Sequence, residues 1–165
     1  MVSEGSVTTV SHLVLLCGPA GAGKSTHARR FVADGYAVAA VDEIAWEAGH
    51  PAVHPLPDDD ARRVADALRS RVATLLDEGR DVVVDSSFWS RSARDEYRAL
   101  GAAHGASTLV VLVDTPRDVA LARVAARAAA HPHDVVLTPE VAAAYHDGFE
   151  VPTPDEGPLE VVPGW

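Results

Sequence analysis

Residues 12–34 read HLVLLCGPAGAGKSTHARRFVAD. After His12 comes an unbroken apolar run, the pattern of a strand buried on both faces. Glycines at 18, 21 and 23 follow, and then a segment that reads as a helix through about Asp34. Within the junction, residues 18–25 (GPAGAGKS) fit G-x-x-x-x-G-K-[ST] between a strand and a helix, the context that pattern requires. The glycines let successive backbone N–H groups turn inward toward phosphate oxygens. The helix that follows adds its positive end. A lysine at position 24 meets the β- and γ-phosphates, and a serine hydroxyl at position 25 ligates Mg²⁺. The expected cradle is therefore Gly18, Ala20, Gly21, Ala22, Gly23, Lys24, Ser25 and Thr26, with ATP and Mg²⁺ as its occupants and Lys24 also catalytic.

Outward from the cradle, short apolar runs alternate with helical periodicity. Residues 37–41 (AVAAV) and 81–85 (DVVVD) read as the second and third strands, and 107–113 (STLVVLV) as the fourth. Residues 49–57 hold three prolines and read as loop. Over 58–78, Val64, Leu68, Val72 and Leu75 repeat at helical spacing behind three aspartates that suit a helix's positive end. Ser90 caps a helix running to about His104, and Pro116 opens another. A loop (HPHDVVLTPE) follows Ala130, then a short helix through about Asp147, an irregular tail, and LEVV as a possible fifth strand. Strands alternating with helices imply an α/β P-loop NTPase fold. The expectation is a parallel sheet of about five strands with helices on both faces, forming one domain over 1–165.

Composition narrows the partners. The chain has 165 residues, 47% apolar and 23% charged, which suits one globular core. Twenty-four acidic against fourteen basic residues give a net charge of −10, a repulsive average field for a polyanion. A small-molecule hydroxyl is thus the favoured acceptor over nucleic acid. The start, MVSEGSVTTVSH, lacks the features of a signal peptide, no apolar run is long enough to span a bilayer, and there is a single cysteine. A soluble cytoplasmic protein without a membrane partner is expected.

Ligands in open α/β sheets gather at the carboxyl ends of strands, where Gly18, Asp42, Asp85 and Asp114 stand. Asp42 is expected one strand over from the cradle, placed to take the proton of an acceptor hydroxyl; its alternative is to cap the helix that follows. Asp85 ends an apolar run and reads equally as a Mg²⁺ ligand with Ser25 or as a turn residue. Asp114 reads as a helix-entry residue and Cys17 as buried. Arg123 and Arg127, four apart on one helix face, lead into a loop and read as a lid over roughly 123–138 that would offset charge developing during transfer, the alternative being a solvated basic face with Arg117. His131 and His133 fall short of a zinc pattern and read as solvated loop. Trp46, Phe88 and Trp89 are candidate walls of the acceptor pocket, Phe88 equally a core residue.

The chain resembles the small P-loop kinases grouped as AAA-type ATP-binding kinase-like proteins, with polynucleotide 5′-hydroxyl kinase, chloramphenicol phosphotransferase and zeta-toxin-like kinases as relatives. The segments that carry it are GPAGAGKST, VDE after the second strand, VVVDSSF, RSARDEYRAL, VDTPRDVALARVAAR and LTPEVAAAYHDGFEVPTPDEG. The resemblance implies Asp42 as general base, Lys24 and Ser25 as phosphate and magnesium residues, Asp85 as the aspartate after the third strand, and Arg123 and Arg127 as lid arginines, Arg123 near adenine or phosphates. It implies an ATP-dependent kinase acting on an alcohol. One departure concerns polynucleotide kinases, which look to carry an arginine three residues beyond the base. This chain has Ala45 there. A polynucleotide 5′-kinase is the second reading, and an NTPase switch without an acceptor the third.

Overall fold

The structure, a computed structural model, describes residues 9–50, 56–127 and 137–164. Five parallel strands form one sheet: β1 (His12–Cys17), β2 (Ala37–Ala40), β3 (Val82–Asp85), β4 (Ser107–Asp114) and β5 (Leu159–Pro163), in the order β2-β3-β1-β4-β5. Among the described residues six α-helices connect them: α1 (Lys24–Ala33), α2 (Val41–Glu47), α3 (Asp58–Asp77), α4 (Arg91–Ala103), α5 (Arg117–Arg127) and α6 (Pro139–Asp147). The expected α/β architecture is present.

Burial follows strand position. The central strands β1, β3 and β4 are apolar at nearly every residue because helices cover both faces, whereas the edge strands β2 and β5 alternate with exposed positions. Leu13, Leu15, Val82, Val84, Val110 and Leu112 face a large core built with Val64, Leu68, Val72 and Leu76 of α3. Val14, Leu16, Val83 and Val111 face the other way and pack with Ala28 and Phe31 of α1. The fourth inward residue of α3 is thus Leu76, with Leu75 only partly buried, one position from the sequence expectation.

The strand order corrects one expectation. β3 lies between β1 and β2, so Asp85, not Asp42, ends the strand beside the cradle, and Asp42 is two strands away. Asp42 also sits in the first turn of α2 rather than beyond a longer β2. A βαβ unit whose second strand skips a place leaves no trace in local sequence, because the gap is filled by a later segment. Residues 128–136, with His131 and His133 and most of the proposed lid, lie outside the described residues, as do 51–55 of the proline-rich loop. Among the described residues no helix is long and apolar enough to cross a membrane.

Candidate nucleotide and phosphoryl-transfer site

The loop between β1 and α1 is held from three sides. Gly18 N donates to Ser87 O (3.1 Å) in the loop after β3. Thr115 Oγ1, buried after β4, donates to Ala22 O (2.7 Å). Gly21, at φ 80°, lies against α5 so closely that a Cβ would stand 2.2 Å from Ala120 O. Only glycine satisfies both the left-handed backbone and that approach. The first turn of α1 contains no acidic residue, leaving its N–H groups and positive end free for an anion.

Lys24 lies at the mouth of this loop. Its Nζ donates to Gly18 O (2.8 Å) and Pro19 O (3.1 Å), so the ammonium folds back over the ring of backbone amides. Burial pushes the Lys24 ammonium below its usual range; the carboxylates of Asp85 and then Asp42 oppose this, while Arg127 adds to it. Charged groups from three elements, α2, β3 and α5, therefore act on one amine. Asp42, two strands away, still acts on it.

Ser25 Oγ donates to Asp85 Oδ2 at 3.0 Å, joining the first turn of α1 to the end of β3. A hydroxyl and a carboxylate side by side suit a hard cation that takes oxygen donors and completes its shell from phosphate and water. Among the described residues no group of three His, Cys, Asp or Glu side chains is arranged to cage a metal, and Mg²⁺ at a phosphate site needs no such cage. Arg123, half-buried on α5, donates from Nη1 to Gly21 O (3.3 Å), and Arg127, the last residue of α5, is exposed. Arg117 is instead paired with Asp147 of α6 (2.8 Å).

The aromatic candidates divide. Phe88 is 3% exposed and meets Tyr97 edge-on (centroids 5.0 Å apart), so it belongs to the core and not to a pocket wall. Its neighbour Trp89 and Trp46 on α2 are largely exposed. Cys17 is fully buried; burial raises its thiol to about 11, and it donates to Phe88 O (3.6 Å). Phe88 is the non-glycine residue with positive φ (45°) among those described, a conformation costing on the order of 1–3 kcal/mol unless its surroundings impose it.

Those surroundings include a group that the sequence reading missed. Arg94 of α4 is fully buried. Its Nε and Nη2 each donate to Glu156 (2.8 Å to Oε2 and 2.8 Å to Oε1), and its Nη1 donates to Phe88 O (2.8 Å) and Glu150 O (2.9 Å). Glu156 ends a 3₁₀ turn (Pro154–Glu156), where Thr153 and Glu156 also form a capping box. The sequence held a signal for this. Arg94 shares a helix face with Tyr97 and Gly101, both inward, and an arginine on such a stripe requires a buried carboxylate elsewhere.

A parallel sheet of this order, with a glycine loop, lysine and serine opening the first helix, defines a P-loop nucleotide-binding fold of the kinase type. The chain belongs to the AAA domain family, whose profile matches residues 13–152. Among solved structures it is similar to a gluconokinase from Sinorhizobium meliloti, 24% identical with a TM-score of 0.65, over 93% of this chain and 82% of that one. It is also similar to a chain of the Pnkp1/Rnl/Hen1 RNA repair complex, 17% identical with a TM-score of 0.72, over 89% of this chain and 46% of that one. A third is Chaetomium thermophilum Kti12 in complex with ADP-AlF3, 15% identical with a TM-score of 0.64, over 92% and 88% of the two chains. No curated protein sequence matches this chain.

Proposed function

We propose that this protein is an ATP-dependent kinase that transfers the γ-phosphoryl group to a hydroxyl of a small molecule. The observation that carries the reading is the glycine loop with Lys24 folded over it and two carboxylates in reach of its charge, Asp85 beside Ser25 and Asp42 on α2. One carboxylate is bonded to Ser25, and the other is exposed on a different element.

In this reading the amides of residues 20–24 and the start of α1 hold the β- and γ-phosphates. Lys24 exchanges its bonds to Gly18 O and Pro19 O for phosphate oxygens, which carry formal charge and bind an ammonium more strongly. Ser25 and Asp85 would hold Mg²⁺, which supplies charge neutralisation at the β- and γ-oxygens. Asp42 accepts the acceptor's hydroxyl proton and orients its oxygen toward the γ-phosphorus. Arg123, already on the loop, and Arg127 offset charge on the transferring group. Trp46 and Trp89 offer apolar surface for a compact organic acceptor. The activity belongs in the cytoplasm, where ATP is supplied.

Similarity to a chain of an RNA repair complex favours a second reading, a polynucleotide 5′-hydroxyl acceptor. Against it stand the net charge of −10 and Ala45, which packs against the core three residues beyond Asp42. One experiment separates the readings. Purified protein is incubated with γ-labelled ATP and Mg²⁺, and hydroxyl-bearing metabolites, antibiotics or oligonucleotide 5′-ends are screened for label, with Lys24→Ala as control. Label on a small molecule, absent with Lys24→Ala, is expected. Label only on oligonucleotides selects the second reading, and ATP hydrolysis that no acceptor accelerates selects an NTPase switch.

A further inference from the structure

The segment 86–89, between Asp85 and α4, is tied down through its carbonyls. Ser87 O accepts from Gly18 N, the first residue of the phosphate loop, and Trp89 O accepts from Glu150 N (2.8 Å). Phe88 O accepts from two groups, Cys17 Sγ at the end of β1 and Arg94 Nη1. Arg94 is the hub of this arrangement. One planar guanidinium spans the strained residue of the segment, the carbonyl of Glu150 and both oxygens of Glu156. Its fork geometry is what allows four bonds in three directions, which an ammonium cannot reproduce.

A buried ion pair is weak evidence of a stability role, since apolar side chains of similar volume fill such a site as well or better. What those side chains cannot do is hold Phe88 O and Glu150 O at fixed points. We infer that Arg94 is a positioning residue for phosphoryl transfer. It fixes segment 86–89, and through that segment the Asp85 carboxylate against Ser25 and the exposed Trp89 beside the acceptor. It touches neither substrate nor metal. This inference rests on the kinase reading above for its consequence, although not for the tether itself.

Two variants separate positioning from stability. Arg94→Lys keeps the buried charge pair but loses the fork. The double variant Arg94→Met with Glu156→Leu removes the charges, retains apolar packing and deletes both bonds to carbonyls. Each is examined by hydrogen–deuterium exchange of the peptides carrying Gly18 and Glu150, whose amides donate to segment 86–89, and by Mg²⁺-ATP turnover with and without the acceptor found in the screen. Both variants are expected to exchange faster at those two peptides while β1 residues 13–16 stay protected. Turnover should fall roughly 10²-fold, the cost of displacing a reacting group by about 1 Å, with affinity for a fluorescent ADP analogue falling far less. A folded double variant with wild-type exchange at both peptides, or with wild-type turnover, overturns the inference. A lower melting temperature with neither change also overturns it. Should the wild-type protein turn over no ATP, the kinase reading fails, and the exchange measurement still decides whether Arg94 holds the segment.

Discussion

Lys24 shows how much of this site is a matter of single charges. Its ammonium is disfavoured by burial, and two carboxylates oppose this, one at the end of β3 and one in the first turn of α2. Asp85 is bonded to Ser25, and Asp42, exposed on a different element, is the proposed acceptor of a proton from an incoming alcohol. Replacing Asp42 with asparagine should therefore leave ATP affinity intact and lower kcat by roughly 10²–10⁴-fold, the usual worth of a positioned acid–base. Replacing Asp85 with asparagine should instead raise the Mg²⁺ concentration needed for half-maximal turnover. Titrating Mg²⁺ against both variants, with calorimetry for ATP, distinguishes the roles; a larger kcat loss in Asp85→Asn than in Asp42→Asn would exchange them.

At the scale of elements, the phosphate loop is shaped by its neighbours as much as by its own glycines. α5 presses on it at Gly21, Thr115 after β4 holds Ala22, and the segment after β3 holds Gly18. Gly21→Ala brings a Cβ to 2.2 Å from a backbone carbonyl of α5, so loop and helix must separate. Gly79→Ala makes a useful contrast, because Gly79 also has positive φ (73°) but has open space around it. The second variant should lose only about 1–2 kcal/mol of stability, the cost of a left-handed backbone with a side chain, and bind a fluorescent ADP analogue normally. The first should lose nucleotide affinity as well, at least tenfold if the separation costs about 1.4 kcal/mol or more. Equal binding by the two variants would mean that the loop re-forms away from α5.

Over the whole molecule, the pair of Arg94 and Glu156 joins α4 to the 3₁₀ turn that precedes β5. The Arg94 bonds hold the Glu156 carboxyl down to about 2, from an ordinary 4.5. A depressed carboxylate stabilises the fold fully above its unfolded value and ceases to do so as pH falls through its folded one. Stability should thus decline between about pH 4.5 and 2, by roughly 3 kcal/mol from this group. Urea midpoints measured from pH 7 to 2 should show that acid limb in the wild-type protein and a shallower one in Arg94→Met with Glu156→Leu; identical slopes would assign acid sensitivity elsewhere. Much else was legible without coordinates. The alternation of apolar runs with helical stripes, the glycine loop in its strand–helix setting, and the Ser90 cap, which accepts from Ala93 N (3.1 Å), are local properties. Local spacing and backbone preference are written into neighbouring residues, and so the sequence by itself determined the elements, the layered α/β class and the phosphate cradle. Only the tertiary structure decided that β3 enters between β1 and β2, that Phe88 turns inward while Trp89 turns out, and that Arg94 finds Glu156 across 62 residues of chain. Those outcomes depend on which surfaces meet when the chain closes on itself, and distant partners leave no periodic mark in a single sequence.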